Sequence, residues 1–282
     1  MGFDPSAAGY LGVNVYVDDL GFRMDSVSIS PDDSAPTLFD PTIASRIPAD
    51  SLLFINSVDL AGTGFTELVG VFLQMALSES ESGGMDDVDT TAMATPSVDE
   101  VYDELERQLG FNIKTDLLDQ LTGEWAIAGN VDQVFSETPD FDVVFVSGVE
   151  DEMTVTDTTE QISFIVTASI EEESATIEDR DVNGTTVTSV TVLDGIAPGV
   201  PLIIEWAVAD GEFLVGVNDG IENYLNGSGD VLADDPIYQQ TMDALPSSDV
   251  VGVAFVNLER TIPMIEEAVM SMETSMSVVD ND

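Results

Sequence analysis

Apolar and polar residues alternate with a period of two along much of the chain, and the alternation breaks at Gly, Pro, Asn and Asp. Leu11, Val13, Val15 and Val17 oppose Tyr10, Gly12, Asn14 and Tyr16; Asp18–Gly21 turns the chain, and Phe22–Ile29 returns. This predicts a hairpin over 10–29. Two more hairpins are predicted. Ala175–Asp181 and Thr185–Leu193 flank Asn183-Gly184, and the alternating runs 202–209 and 213–217 flank Asp210-Gly211. Both dipeptides suit a tight turn, which needs positive φ. Further strands are predicted at 52–60, Glu124–Asp132, Phe141–Val149 and 250–257. The last is apolar on both faces, through Val251, Val253 and Phe255 on one and Val250, Ala254 and Val256 on the other, so it is expected to lie centrally in a sheet.

Elsewhere the period lengthens to that of a helix. Phe65, Leu68, Val69, Phe72 and Leu73 mark a helix over Phe65–Leu77. Ser97–Leu109 opens on a capping box, Ser97 with Glu100, buries Val98, Val101, Tyr102 and Leu105, and stops at Gly110. A short helix is expected at Thr115–Leu121 with Thr115 as its cap, and another at Pro236–Leu245, started by Asp235. Residues 78–97, rich in Ser, Gly, Asp and Thr, read as a mobile acidic loop within the domain. Residues 152–171 fit both templates, and their β-branched side chains favour a strand. The fold class expected is α+β: a curved antiparallel sheet with helices packed on one face.

A proline, a strand and a helix recur. Pro48 and Pro246 lie 198 residues apart, and at that offset Leu53 matches Val251, Ile55 matches Val253 and Leu60 matches Leu258. On this basis residues 1–47 form a leading hairpin and connector, the end of a preceding unit; 48–245 form the main α+β unit; and 246–282 resemble the start of a second unit of a tandem-repeat chain. Ile265, Val269, Met272 and Met276 make a helical stripe suited to packing against a core or a neighbouring repeat.

Charge changes the picture more than composition does. Six basic residues against 55 acidic ones leave a net charge of −49. Such a surface repels nucleic-acid phosphates and anionic lipid heads, so neither is expected as a partner. The acids are interleaved with alternating apolar residues, which argues for a folded protein adapted to high salt, its surface bathed in solvent cations. No apolar run approaches the ~20 residues of a membrane span, so direct membrane insertion is not expected.

The chain contains neither His nor Cys, which removes Ser-His-Asp and Cys-His nucleophilic sites and zinc sites built on those ligands. Carboxylate chemistry remains, with no pair singled out by spacing. Glu124 and Glu205 stand out because they interrupt apolar strands, and each is expected to face solvent or a strand edge. No catalytic residue and no cofactor is assigned. Asp179, Asp181 and Asn183 match the first half of a calcium loop, but position twelve is Val190 where a bidentate Glu is needed, so the hairpin turn is the stronger reading. Asn183-Gly184-Thr185 and Asn226-Gly227-Ser228 are glycosylation sequons, at Asn183 and Asn226, that also serve as turns.

Several short runs resemble one family. They are Ile47-Pro48-Ala49-Asp50, Asp116-Leu117-Leu118 with Gly123-Glu124, Leu232-Ala233-Asp234-Asp235-Pro236-Ile237-Tyr238, Ala244-Leu245-Pro246 and Phe255-Val256-Asn257-Leu258. Together they are similar to the domain of unknown function 3352, over about residues 45–260. The resemblance implies an extracytoplasmic protein built of related halves, and a helix following the strand that ends near Val149, which turns the expectation for 152–171 toward helix. It transfers no catalytic residue. The expectation is a non-enzymatic, extracytoplasmic structural or binding module of a larger surface protein, meeting a neighbouring repeat unit or a surface partner. The alternatives are a carrier holding an apolar ligand between sheet and helices, a carboxylate-dependent hydrolase, and, for location, the cytoplasm of a salt-accumulating organism.

Overall fold

A computed structural model describes residues 10–18, 21–29, 41–58, 60, 69, 98–131, 140–169, 175–197, 200–227, 229–243, 252–266 and 270. Ten strands occur among them. β1 (Tyr10–Asp18) and β2 (Gly21–Ile29) pair as the expected hairpin. β3 (Leu53–Val58), β4 (Leu121–Val131), β5 (Phe141–Val149), β6 (Ala175–Val182), β7 (Thr185–Ala197), β8 (Val200–Ala209), β9 (Glu212–Val217) and β10 (Gly252–Val256) form one open sheet. Its order is β10-β3-β4-β5-β9-β8-β7-β6, and every pairing is antiparallel. The α+β class and the curved antiparallel sheet are as expected. The expected helix Phe65–Leu77, apart from helical Val69, and the loop 78–97 lie outside the described residues.

The two tight turns have the conformation their sequences require. Asn183 and Gly184 have φ of 53° and 87°, and Asp210 and Gly211 have 53° and 77°. A third left-handed glycine shapes the middle of the sheet. Gly123, at φ 73°, sits in a bulge where the β4–β5 register shifts between Thr122 and Trp125.

Helices cover both faces. Along the strands, Trp125, Phe145, Trp206 and Phe213 point to one core, while their neighbours Ala126, Val146, Ala207 and Leu214 point to the other. The long helices α1 (Val98–Leu109) and α3 (Glu152–Ser169), with the single turn α2 (Ile113–Asp116), share the first face, where Tyr102, Leu117 and Val155 are buried with Phe213. The opposite face, left bare in the expectation of helices on one side, is closed by α4 (Gly220–Asn226), α5 (Pro236–Asp243) and two 3-10 turns, at Ile43–Ser45 and Leu232–Asp234. α4 lies close against the strands because Gly220 lacks a side chain: a Cβ there would sit 2.1 Å from the Val143 carbonyl oxygen.

The segment 152–169 is helical despite its β-branched residues. Asp151 caps it, accepting from the Met153 and Thr154 N–H groups. The hydroxyls of Thr156, Thr158, Ser163 and Thr167 donate to carbonyls four residues earlier, so they are satisfied without a sheet. Val155, Thr158 and Thr159 are buried and Ile162 is half-buried, a helical stripe, whereas Phe164 is 76% exposed, which an alternating strand face would not allow.

Three expectations are corrected. The short helix begins at Ile113, not Thr115, because Asn112 is the cap and accepts from the Thr115 N–H; a 3-10 turn and the start of β4 occupy Leu118–Leu121. β10 is an edge strand rather than a central one. Val253 and Phe255 are buried, but the outer face, with Val256 opposite Leu53, is open among the described residues, so apolar character on both faces did not mean two covered faces. The 198-residue offset also fails. β10 pairs with β3 so that Phe255 opposes Phe54, and opposed residues share a face. An offset of 198 matches buried Asn56 with outward Ala254, while an offset of 201 matches Phe54 with Phe255 and Asn56 with Asn257, all four buried. Of the stripe Ile265, Val269, Met272 and Met276, Ile265 is exposed and the other three lie outside the described residues.

Candidate functional site: a polar cleft beside the β4–β5 ends

The two acids that interrupt apolar strands face inward, against expectation, and both hold the fold. The bulge at Gly123 turns Glu124 under the 3-10 turn at residue 43. Its carboxylate accepts from the Thr42 N–H at 2.8 and 3.0 Å, the Ile43 N–H at 3.0 Å, the Thr42 hydroxyl and the Asn56 side-chain amide at 3.0 Å. Glu205 is 2% exposed. Arg180 reaches across β7 and donates to it from Nε at 3.1 Å and from Nη2 at 3.0 and 3.1 Å, and Ser189, its partner in register, donates at 2.6 Å. Arg180 also donates to Glu222 on α4 at 2.6 Å. Burial alone would lower the Arg180 pKa; the bonds to Glu222 and Glu205 outweigh it and hold the guanidinium above its ordinary value.

A half-buried ion pair stands beside a cleft, which its arginine lines. Arg46 pairs with Glu212 and lies 4.6 Å over the Tyr224 ring, and the Tyr224 hydroxyl donates to Glu212 at 2.9 Å. Burial, followed by the negative charge of Glu212, pushes the Tyr224 phenol pKa up. For Arg46 the cost of burial is overcome by its bond to Glu212, so its pKa is raised. Its side chain is still 40% exposed, so the guanidinium is pre-oriented yet reachable.

The cleft itself measures about 420 Å3. It is lined by Asn130 near the end of β4, Asp142 near the start of β5, the turn 48–51 and the C-terminal end of α4. Two of the family-like runs meet there: the Leu232 N–H donates to the Ile47 carbonyl at 2.8 Å, the Ala49 N–H donates to the Asp230 carbonyl at 3.0 Å, and Pro48 bridges to Val231. Behind this junction Tyr238 stands edge-on to both Phe54 and Phe255, at 5.8 and 5.4 Å between ring centres. Asn223 on α4 donates to Asp142 across the cleft wall at 3.4 Å. Arg260 also lines the cleft, from the first turn of the helical residues 258–266, whose cap Asn257 accepts from the Arg260 N–H at 3.3 Å. The open donors and acceptors of the cleft are amides, carboxylates and guanidinium groups, a set suited to holding a polar molecule.

The residues singled out in the sequence fall partly together. Asp179 accepts from the Thr188 hydroxyl at 2.8 Å across the hairpin, Asp181 accepts from the Gly184 N–H at 3.2 Å, and Asn183 donates to the Leu225 carbonyl at 3.2 Å and to Asn226 at 2.9 Å. Each is thus engaged with a different neighbour, and no group of three acids placed to hold a metal ion occurs among the described residues. The two sequon residues, Asn183 and Asn226, are bonded to each other, which ties the β6–β7 turn to the end of α4; Asn226 also lines the cleft. Arg46 and Arg260 were not singled out. The signal that could have found them is scarcity: two of only six basic residues line one cleft.

The geometry is that of an α+β protein whose inward-facing carboxylates are engaged by donors of their own chain and which carries a cleft lined with polar groups at the β4–β5 ends. The chain belongs to the family described as protein of unknown function (DUF3352), whose family model matches residues 8–279. No curated protein matches the chain, and no solved structure matches it.

Proposed function

We propose that the protein is a non-enzymatic, extracytoplasmic structural or binding module of a larger surface protein, adapted to high salt. The observation that carries this reading is the fate of the interior charges. Among the described residues Glu205, which is buried, and Glu124 and Glu212, which are partly buried, are all occupied by backbone, arginine or hydroxyl donors. Each is thus engaged by donors of its own chain rather than held open toward a substrate. Among the described residues both faces of the sheet carry packed apolar clusters, which favours a filled core over a chamber for a carried ligand. The unpaired surface acids suit a solvent whose salt screens them. Among the described residues no helix is long and apolar enough to cross a membrane. Exposure to protease in intact cells of the source organism, kept in their own salt, tests the placement. Loss of the protein while a cytoplasmic marker survives is expected; protection until the cells are lysed would refute it.

A further inference from the structure

Arg260 is placed where stability does not explain it. It stands in the first turn of a helix, where a cation opposes the helix dipole. In a chain with 55 acids and six bases, it has no acidic partner among the described residues, whereas Arg46, Arg107 and Arg180 each have one. Arg260 lines the cleft, and a planar five-donor group that binds no carboxylate among the described residues is available to one from outside. The rest of the lining limits what can carry that carboxylate. Asn130, Asn223 and Asn226 offer both donors and acceptors, and Asp50 and Asp230 offer acceptors that need hydroxyl or amine donors. A purely apolar ligand would strip water from these groups without replacing its bonds, and a polyanion would be repelled by the aspartates. A polyol with a single carboxylate satisfies both walls.

Resting on the reading of the protein as a binding module, we propose that the cleft binds a sugar acid, its carboxylate on Arg260 and its hydroxyls on the amide and aspartate side chains opposite. Asn223 and Asn226 reach it from α4, and the pre-oriented Arg46 closes the wall between them and the turn at residue 48.

Titration calorimetry in molar potassium chloride, with glucuronate, glucose and sulfate as probes, tests this. Glucuronate is expected to bind saturably in the range of about 1 mM or below, with glucose and sulfate each weaker by at least about tenfold, the worth of the carboxylate or of the hydroxyl set. Arg260→Ala should lose the preference for glucuronate over glucose, and Arg260→Lys should restore it in part. Arg107→Ala, on α1 beside Glu104, should change nothing. Because Arg260 is exposed, circular dichroism of its variants is expected to match the parent. No binding of glucuronate, equal binding of all three probes, or full affinity in Arg260→Ala would each overturn the proposal. Proteolysis on intact cells does not depend on this titration, so failure of the ligand and failure of the module reading are separable.

Discussion

Replacing Glu205 by Ala leaves Arg180 facing the core without its principal acceptor. Three guanidinium contacts at 3.0 to 3.1 Å and the Ser189 hydroxyl at 2.6 Å are lost at once. Glu205 is 2% exposed, so water cannot take its place without opening the sheet. Removing one member of a buried pair costs about 3–5 kcal/mol. Arg180 is 30% exposed and keeps Glu222 at 2.6 Å, so the low end of that range applies, about 3 kcal/mol. At about 2–4 °C per kcal/mol for a chain of this size, the midpoint should fall by roughly 6–12 °C. Glu222→Ala removes the other partner, but Glu222 is 44% exposed, so the cost should stay within about 1 kcal/mol. Arg180→Met with Glu205→Leu should recover most of the loss, since no charge is then stranded. Thermal unfolding by circular dichroism measures all three. Equal shifts for Glu205→Ala and Glu222→Ala, or a shift below about 2 °C for the first, would refute the assignment of Glu205 as the buried anchor of α4 and the β6–β8 end of the sheet.

Other expectations follow from single contacts. Gly220→Ala drives a methyl to 2.1 Å from the Val143 carbonyl oxygen and should cost about 1–3 kcal/mol, read as a lower denaturant midpoint. Tyr238→Phe removes a buried hydroxyl that has no partner among the described residues and whose pKa is pushed up to about 12, first by burial and then by Glu124; unfolding should show unchanged or higher stability, and a loss above about 1 kcal/mol would mean the hydroxyl is satisfied. The Asp151 carboxyl is held below the usual range, first by the Thr154 N–H and then by the Thr154 hydroxyl. Its folded pKa is depressed, so its contribution is complete above the ordinary Asp value and is lost as pH falls through the folded one. Asp151→Asn should abolish that part of the acid dependence, and a carbon-detected titration of Asp151 at or above the ordinary value would contradict it.

Much of the fold was legible because the chemistry that set it is local. Asn183-Gly184 and Asp210-Gly211 announce turns that only residues tolerant of positive φ can make, and Asp235-Pro236 announces a helix start, confirmed by Asp235 accepting from the Ile237 and Tyr238 N–H groups. What was illegible depends on distant partners. Whether Glu205 faces in or out is decided by Arg180, 25 residues earlier on another strand. Glu124 is turned by a bulge at Gly123 toward a segment 82 residues away. The place of β10 at the sheet edge is a fact of topology that its own side chains do not encode. The cleft was invisible for the same reason, since its lining comes from five separated stretches, and only the scarcity of basic residues pointed toward it.

The central claim is a division of charge: interior pairs hold the fold, and the unpaired surface acids leave that fold dependent on salt. One measurement addresses both halves, the thermal midpoint of the parent protein and of Glu205→Ala from about 0.01 M to about 1 M salt, over which the screening length falls from about 30 Å to about 3 Å. Repulsion among 55 acids acts against the compact state, and a net stability of only about 5–15 kcal/mol leaves little to oppose it, so the parent midpoint should climb steeply. The Glu205–Arg180 pair is shielded from ions, so the deficit of the variant should stay constant and the two curves should rise in parallel. A flat or falling parent curve, or a deficit that vanishes as salt is added, would contradict the account.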